Sequence, residues 1–360
     1  LVEGPRACGK SRTCERVAQT SYHLDVDDGA RALANAAPAA LFDAPAPILL
    51  DEWQVAPRLW DVVRREADER SPERGQFILT GSVVPSSDVA RHTGAGRFGR
   101  MRMRTLSLLE SGHSTGDVSL AALFDGELRP ARDPGLAVPE LMDRVVIGGW
   151  PALLGVDVPE AQVWVQDYLE TVVADVRRLD GVRAPRSLAR LLAALARGVG
   201  TASKISTLVA DVAGPDGAVD RRTISDYLAS LERLLLIEDL PAWAPHMRSS
   251  TPLRTSATRY FVDPSLGVGA LGAGPSRLLR DLGAAGLHVE SLVVRDLRVY
   301  SQPLGGTFSH WRDANGHEVD VVITLRDGRW GAIEIKMNPE EAPQAADSLK
   351  RFAAKVDTDR

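Results

Sequence analysis

The stretch Gly4-Pro5-Arg6-Ala7-Cys8-Gly9-Lys10-Ser11 decides how this chain is read. Its spacing, G-x-x-x-x-G-K-S, is that of a loop that wraps its backbone around phosphate groups. Such a loop needs glycines where the backbone bends and exposes its N–H groups, a lysine that reaches the terminal phosphates, and a hydroxyl for Mg2+. Gly4, Gly9, Lys10 and Ser11 supply these parts in order. Pro5, Arg6, Ala7, Cys8 and Arg12 complete the candidate nucleotide-lining residues. Apolar residues precede Gly4 and the helix-compatible run SRTCERVAQ follows, which is the strand–loop–helix context that the motif requires.

Working outward, the second part of such a site is an acid at the end of a buried strand, holding Mg2+ through water. The run PILLDEW offers Asp51 for this, directly after Ile48, Leu49 and Leu50, and Glu52 beside it as general base on the attacking water. A third strand, FILTGS, ends in Thr80 and Ser82. These hydroxyls either bond the γ-phosphate or attacking water, or simply cap the strand in a Thr-Gly-Ser turn. The arginine-rich stretch GAGRFGRMRMRTLSLLES places Arg97 among glycines, either as a group reaching the γ-phosphate or as part of a solvated basic loop.

Up to about residue 85, short β-like runs alternate with helical ones, which predicts parallel strands joined by helical crossovers. The Pro- and Gly-punctuated DGELRPARDPGLAVPE reads as a connection, and WVQDYLETVVADVRRL and PRSLARLLAALARGV carry apolar residues at helical spacing. SKISTLVADVAG and DRRTISDYLASLERLLLIEDL follow as helix, turn, helix and a β-like run, the order of a winged helix-turn-helix. Its second helix would begin at Arg221, Arg222, Thr223 and Ser225 and bury Ile224, Tyr227, Leu228, Leu231 and Leu234. Arg221, Arg222 and Lys204 are candidate DNA-phosphate contacts; the alternative is a module that packs as a spacer.

Composition constrains partners weakly. The 360 residues exceed one ordinary core and predict two or three domains. A net charge of −5, with 25% charged and 44% hydrophobic residues, neither recruits nor excludes nucleic acid. The two cysteines, Cys8 and Cys14, form no disulfide framework or metal pattern and point to a reducing compartment, by default the cytoplasm. No apolar run approaches the roughly 20 residues that span a bilayer. The chain opens without methionine, in what reads as the end of a strand, so further residues are expected upstream of Leu1. Cys8, near a helix N-terminus that would lower a thiol pKa, is either an accessible thiol in the cradle or a buried inert one.

Near the C-terminus, Glu290 lies on a helical run, Asp320 on a strand, and Glu334 and Lys336 two apart on the next strand. A metal-dependent phosphodiesterase needs two or three carboxylates around a metal and a lysine to orient or activate water. A two-residue hairpin at Asp327-Gly328 would put Asp320 opposite Ile335 and break this site. A three-residue connection over Arg326-Asp327-Gly328, with Gly328 in a left-handed bulge, puts Asp320 opposite Glu334, and this geometry is the one expected. Glu318 is the alternative acid. The plain alternative is an ordinary hairpin, or a nuclease-like fold that does not cut.

Taken together, GPRACGKS, ILLDE, FILTGS, GAGR, LSLLES and GGWP, followed by TSATRYFVDPSLG and NGHEVDVVI…WGAIEIK, resemble bacterial and archaeal AAA-type ATPases with a conserved C-terminal domain of unknown function. The order of C-terminal acids and lysine is similar to the PD-(D/E)-x-K nuclease core. The resemblance implies ATP and Mg2+ as cofactors, bound by Gly4–Ser11 with Lys10 on the β- and γ-phosphates, Ser11 and Asp51 on Mg2+, and Glu52 on water. The expected architecture is α/β: a phosphate-loop ATPase core over residues 1–115, a helical extension over 116–185, a winged helix over 186–270 and a nuclease-like domain over 271–360. The expected function is ATP hydrolysis coupled to nucleic-acid binding or processing. The alternatives are a nucleotide-dependent switch on a protein partner, or an ATP-gated nuclease. Arg97 acting across a subunit boundary would imply a homo-oligomer.

Overall fold

The computed structural model describes residues 1–70, 72–83, 96–127, 129–132, 135–180, 185–213, 219–244, 256–313 and 315–356. Gly94 and Ala95 of the GAGR motif, residues 214–218 and Thr255 lie outside these. The chain forms two compact units. One comprises Leu1–Thr105 with Trp150–Ala152 and Glu232–Leu236; the other comprises Leu106–Gly149, Leu153–Leu231 and Ile237–Arg360.

The first unit carries the strand–helix alternation that its sequence predicts. Its strands are β1 (Val2–Glu3), β2 (Thr20–His23), β3 (Ile48–Asp51), β4 (Phe77–Gly81) and β5 (Met101–Arg102). Its helices are α1 (Lys10–Glu15), α2 (Asp28–Ala36) and α3 (Leu59–Glu69). The sheet order is β2-β3-β4-β1-β5, and every pairing is parallel. β3 is buried along its whole length, as an aliphatic run covered on both sheet faces should be. Leu24, Phe42, Ile48, Leu50, Trp53, Trp60 and Leu79 pack together as the core. Because all strands run the same way, the loop after β1 and the acid at the end of β3 emerge from one sheet edge, separated only by β4.

The second unit is mainly helical, then mixed. Its helices are α4 (Leu120–Phe124), α5 (Val138–Ile147), α6 (Val158–Asp180), α7 (Pro185–Arg197), α8 (Ile205–Val212) and α9 (Arg221–Arg233). An antiparallel pair follows, β6 (Ile237–Leu240) with β7 (Thr258–Phe261). Asp220 caps α9 by accepting from the Thr223 N–H at 2.6 Å, and Ile224, Tyr227, Leu228, Leu231 and Leu234 are buried, as their helical spacing predicts. Next come α10 (Pro264–Ala270), α11 (Pro275–Leu278) and the long α12 (Leu282–Ser301). The antiparallel strands β8 (Thr307–Arg312), β9 (Glu318–Thr324) and β10 (Trp330–Ile333) form a sheet in the order β10-β9-β8, and α13 (Ala342–Lys355) closes the unit. Val321 and Ile323 of β9 pack with Val294 of α12, while Val322 packs with Phe352 of α13, so the sheet lies between two helices.

A buried ionic network ties this unit together. Asp263, fully buried, accepts from the Gly149 N–H at 2.9 Å, from the Ser265 hydroxyl at 2.6 Å and from the Arg295 guanidinium at 3.1 Å. Arg295 also bonds Asp296, whose other oxygen accepts from the Leu108 N–H at 2.9 Å. The VDPS and first GGW residues thus do structural work, with every buried charge partnered. Among the described residues, no helix is long and apolar enough to cross a membrane.

Candidate active site

The loop from Gly4 to Ser11 turns back over the end of β1. A Cβ on Gly4 would lie 2.4 Å from the Met103 carbonyl oxygen, and Gly9 adopts φ +97° as the entry to α1, so both positions demand glycine. Lys10 is only 5% exposed, and its Nζ donates to the Pro5 carbonyl at 2.9 Å, folding the amine over its own loop. Pro151 reaches the same loop, since its Cγ would stand 3.4 Å from a Cβ on Gly9. Cys8 is fully buried, and burial pushes its thiol pKa up even though the Lys10 charge opposes it. The helix-terminus effect that would lower this pKa is therefore outweighed by desolvation.

The acid pair faces this loop. The Ser11 hydroxyl donates to Asp51 Oδ1 at 2.9 Å, and the Thr80 hydroxyl donates to the same oxygen. Asp51 Oδ2 lies 3.1 Å from His23 Nδ1, and His23 Nε2 is 3.3 Å from Glu15. Asp51 is thus a buried carboxylate held on both oxygens. Glu52 does not continue the strand: at φ 51° and ψ 46° it sits in the left-handed region, which costs a non-glycine residue about 1–2 kcal/mol. Its N–H donates to Thr80 Oγ1 at 3.2 Å, and its Oε2 accepts from Ser82 at 3.0 Å and from the Gln54 amide. Thr80 and Ser82 therefore support the two acids directly. Strain of this kind persists where surrounding contacts over-determine it, as these do.

Arg97 forms an ion pair with Asp68 at 2.9 Å, near the end of α3, and Arg12 pairs with Glu15 at 3.5 Å. The loop residues fit a nucleotide with Mg2+. A lysine buried against a loop carbonyl and a Ser hydroxyl resting on an acid are donors that phosphate and metal could redirect, and the buried, unpartnered Gln54 Oε1 next to Glu52 can accept a further hydrogen bond.

The second acid cluster is built by the hairpin between β9 and β10. Leu325 and Arg329 pair across Arg326-Asp327-Gly328, with Gly328 at φ +89°. The register runs from Trp330 with Thr324 to Ile333 with Val321, the offset that the three-residue connection predicts, and ends one residue short of Glu334. Asp320 Oδ2 accepts from the Ile335 N–H at 2.7 Å, Glu334 Oε1 accepts from Lys336 Nζ at 2.9 Å, and Glu290 on α12 accepts from the Tyr260 hydroxyl at 2.5 Å. Burial, with the Glu334 charge adding to it, pushes the Asp320 pKa up to about 6. Burial and the Asp320 charge push Glu290 up to about 7. Burial works against the charged Lys336 amine, yet its bond to Glu334 keeps its pKa above the ordinary value. Among the described residues, no three His, Cys, Asp or Glu side chains stand together as a metal-ion site. The ligand set expected of Glu290, Asp320 and Glu334 is not assembled; Tyr260, the Ile335 N–H and Lys336 each engage one carboxylate, and Glu334 Oε2 is buried without a partner. Glu318 is exposed and lies 3.9 Å from Arg312.

Lys204 precedes α8, and Arg221 and Arg222 open α9; all three are exposed. Asp226 lies 3.9 Å from Arg222 and moderates its charge.

A family model described as an AAA domain matches residues 1–111. Residues 1–111 are an AAA-type, P-loop ATPase-like domain. Two further models, both described as domains of unknown function, match residues 138–277 (DUF8612) and 285–360 (DUF4143). No curated protein matches the chain. Within the AAA domain, sequence reasoning missed His23 and Gln54. His23 is legible only once β2 is registered on β3, where its Cα pairs with that of Asp51. Gln54 was within reach, two residues past Glu52, but only the left-handed turn at Glu52 brings the two side chains together. In the second unit the missed group is Tyr260, which sits inside a motif quoted only for its resemblance.

Proposed function

We propose that the AAA domain hydrolyses ATP with Mg2+. The observation that carries this reading is the Ser11–Asp51 bond of 2.9 Å, which joins the end of the phosphate loop to the acid of a different strand. Ser11 and, through water, Asp51 would hold Mg2+, which when bound neutralises charge on the β- and γ-phosphates. Lys10 would exchange the Pro5 carbonyl for phosphate oxygens. Glu52, aimed by Ser82 and Gln54, would accept a proton from the attacking water, and Thr80 would keep Asp51 and the Glu52 backbone in mutual register. To reach a γ-phosphate, Arg97 would have to leave Asp68. Phosphate release by the full chain tests the reading: it should fall to background in Lys10→Ala, and an unchanged rate would overturn it.

We further infer that ATP turnover serves nucleic-acid binding or processing, in the reducing cytoplasm. Three helices followed by an antiparallel strand pair support a winged helix within residues 186–270, with Lys204, Arg221 and Arg222 exposed at its helix starts. The hairpin register supports a nuclease-like domain over 271–360, with the Glu334 charge acting on Asp320 and Lys336 bonded to Glu334. DNA binding that weakens with salt and with charge removal at Arg221 and Arg222 supports this reading. Plasmid nicking with Mg2+ or Mn2+ that Asp320→Ala abolishes would establish cleavage, and no DNA binding at any salt would leave a switch on a protein partner.

A further inference from the structure

We propose that His23 is a positioning residue of the Mg2+–nucleotide site, fixing the carboxylate of Asp51 so that one oxygen stays turned toward Ser11; this rests on the ATPase reading above. His23 ends β2 directly opposite Asp51 at the end of β3, and its Nδ1 lies 3.1 Å from Asp51 Oδ2. A carboxylate can only accept, so Nδ1 carries a hydrogen toward Asp51. The far side of the ring is held as well, with Nε2 3.3 Å from Glu15 Oε1. Glu15 follows Ser11 by four residues on α1, and residues four apart share one helix face.

The contacts form a closed ring. From Asp51 Oδ1 it passes to the Ser11 hydroxyl, along one turn of α1 to Glu15, to the imidazole, and back to Asp51 Oδ2. The two oxygens are thereby divided in labour: Oδ1 takes the hydroxyls of Ser11 and Thr80, and Oδ2 takes the imidazole. The last torsion of an aspartate is broad, so a carboxylate held on one oxygen alone can turn. His23 removes that freedom. If the Ser11 hydroxyl held a metal ion, its bond to Oδ1 would be released, and the imidazole bond on Oδ2 would keep Oδ1 facing the same place. Partners that orient metal-holding groups in this way typically govern affinity for the metal by about 10–100-fold.

The test is equilibrium binding of a fluorescent ATP analogue to the full chain, titrated with Mg2+ and repeated in EDTA, for wild type, His23→Ala, His23→Asn and Glu15→Gln. His23→Ala should raise the Mg2+ concentration at half-saturation about tenfold while leaving the affinity in EDTA unchanged. His23→Asn, whose amide keeps an N–H near the place of Nδ1, should recover most of this shift. Glu15→Gln should move the midpoint in the same direction by less. An unchanged midpoint in His23→Ala overturns the proposal, and so does an equal loss of binding in EDTA, which would make His23 a prop of the loop. If His23→Ala is unfolded at the assay temperature, Glu15→Gln decides: an unshifted midpoint there is equally fatal. A wild-type chain that binds no nucleotide would instead overturn the ATPase reading, a result distinct from Mg2+-dependent binding that ignores His23.

Discussion

Two groups of acids in this molecule are held in opposite ways. Asp51 and Glu52 receive hydroxyl, imidazole and amide donors, while the nearby lysine rests on a backbone carbonyl. Glu290 and Glu334 each repel Asp320 in a poorly solvated place: Glu290 and Asp320 have raised pKa values, and the lysine is spent on Glu334. The first cluster leaves its cation on a neutral carbonyl. The second uses its cation on itself. Similar residue types therefore meet different surroundings, decided by how deeply the fold buries each carboxylate and which donors it delivers to each oxygen.

The largest expected effect separates the clusters by turnover. Glu52→Gln should lower the rate of ATP hydrolysis by about 10²–10⁴-fold, the usual worth of a general base, with nucleotide binding retained. Asp320→Asn should leave that rate unchanged; phosphate-release assays on both variants check this, and a matching loss in Asp320→Asn would abolish the distinction.

A smaller effect is read in stability against pH. The folded chain holds a proton on Asp320 up to about pH 6, whereas the ordinary value is 3.8. An acid with a raised folded pKa contributes stability below its unfolded pKa, and this is lost as pH climbs through the folded one. Asp320→Asn should therefore resemble wild type near pH 4 and exceed it at neutral pH by on the order of 1–2 kcal/mol, as seen in urea melts at the two pH values. A gain of equal size at both would remove the charge argument.

The smallest effect sharpens the geometry behind the second cluster. Gly328 at φ +89° allows the three-residue turn, so Gly328→Ala should cost about 1 kcal/mol, whereas Gly328→Asn should cost less because Asn tolerates the left-handed region better. Equal melts for the two variants would show that the turn does not depend on this conformation.

Much of this was legible in particular residues. GPRACGKS announces its loop because the chemistry of wrapping phosphate is local, and ILLD announces a buried strand because four residues in a row have no solvent face. The hairpin register followed from turn geometry alone, since Gly328 and the three-residue connection decide which residues oppose. Other features were illegible for a shared reason. His23 reads as one polar residue in SYHLDV until β2 is laid on β3, Arg97 gains its partner Asp68 only when its segment meets α3, and Asp263 with Arg295 joins positions far apart in the chain.

By itself, then, the sequence determined the phosphate loop, its following helix, the acid-ending strand and the three-residue turn over Arg326-Asp327-Gly328, because each depends on neighbours within a few residues. The tertiary structure alone decided that Ser11 and His23 share Asp51, that Glu52 turns left-handed toward Ser82 and Gln54, and that Tyr260, Ile335 and Lys336 each take one carboxylate of the second cluster. Those contacts arise from strand order and helix packing, which bring together groups that no local pattern relates.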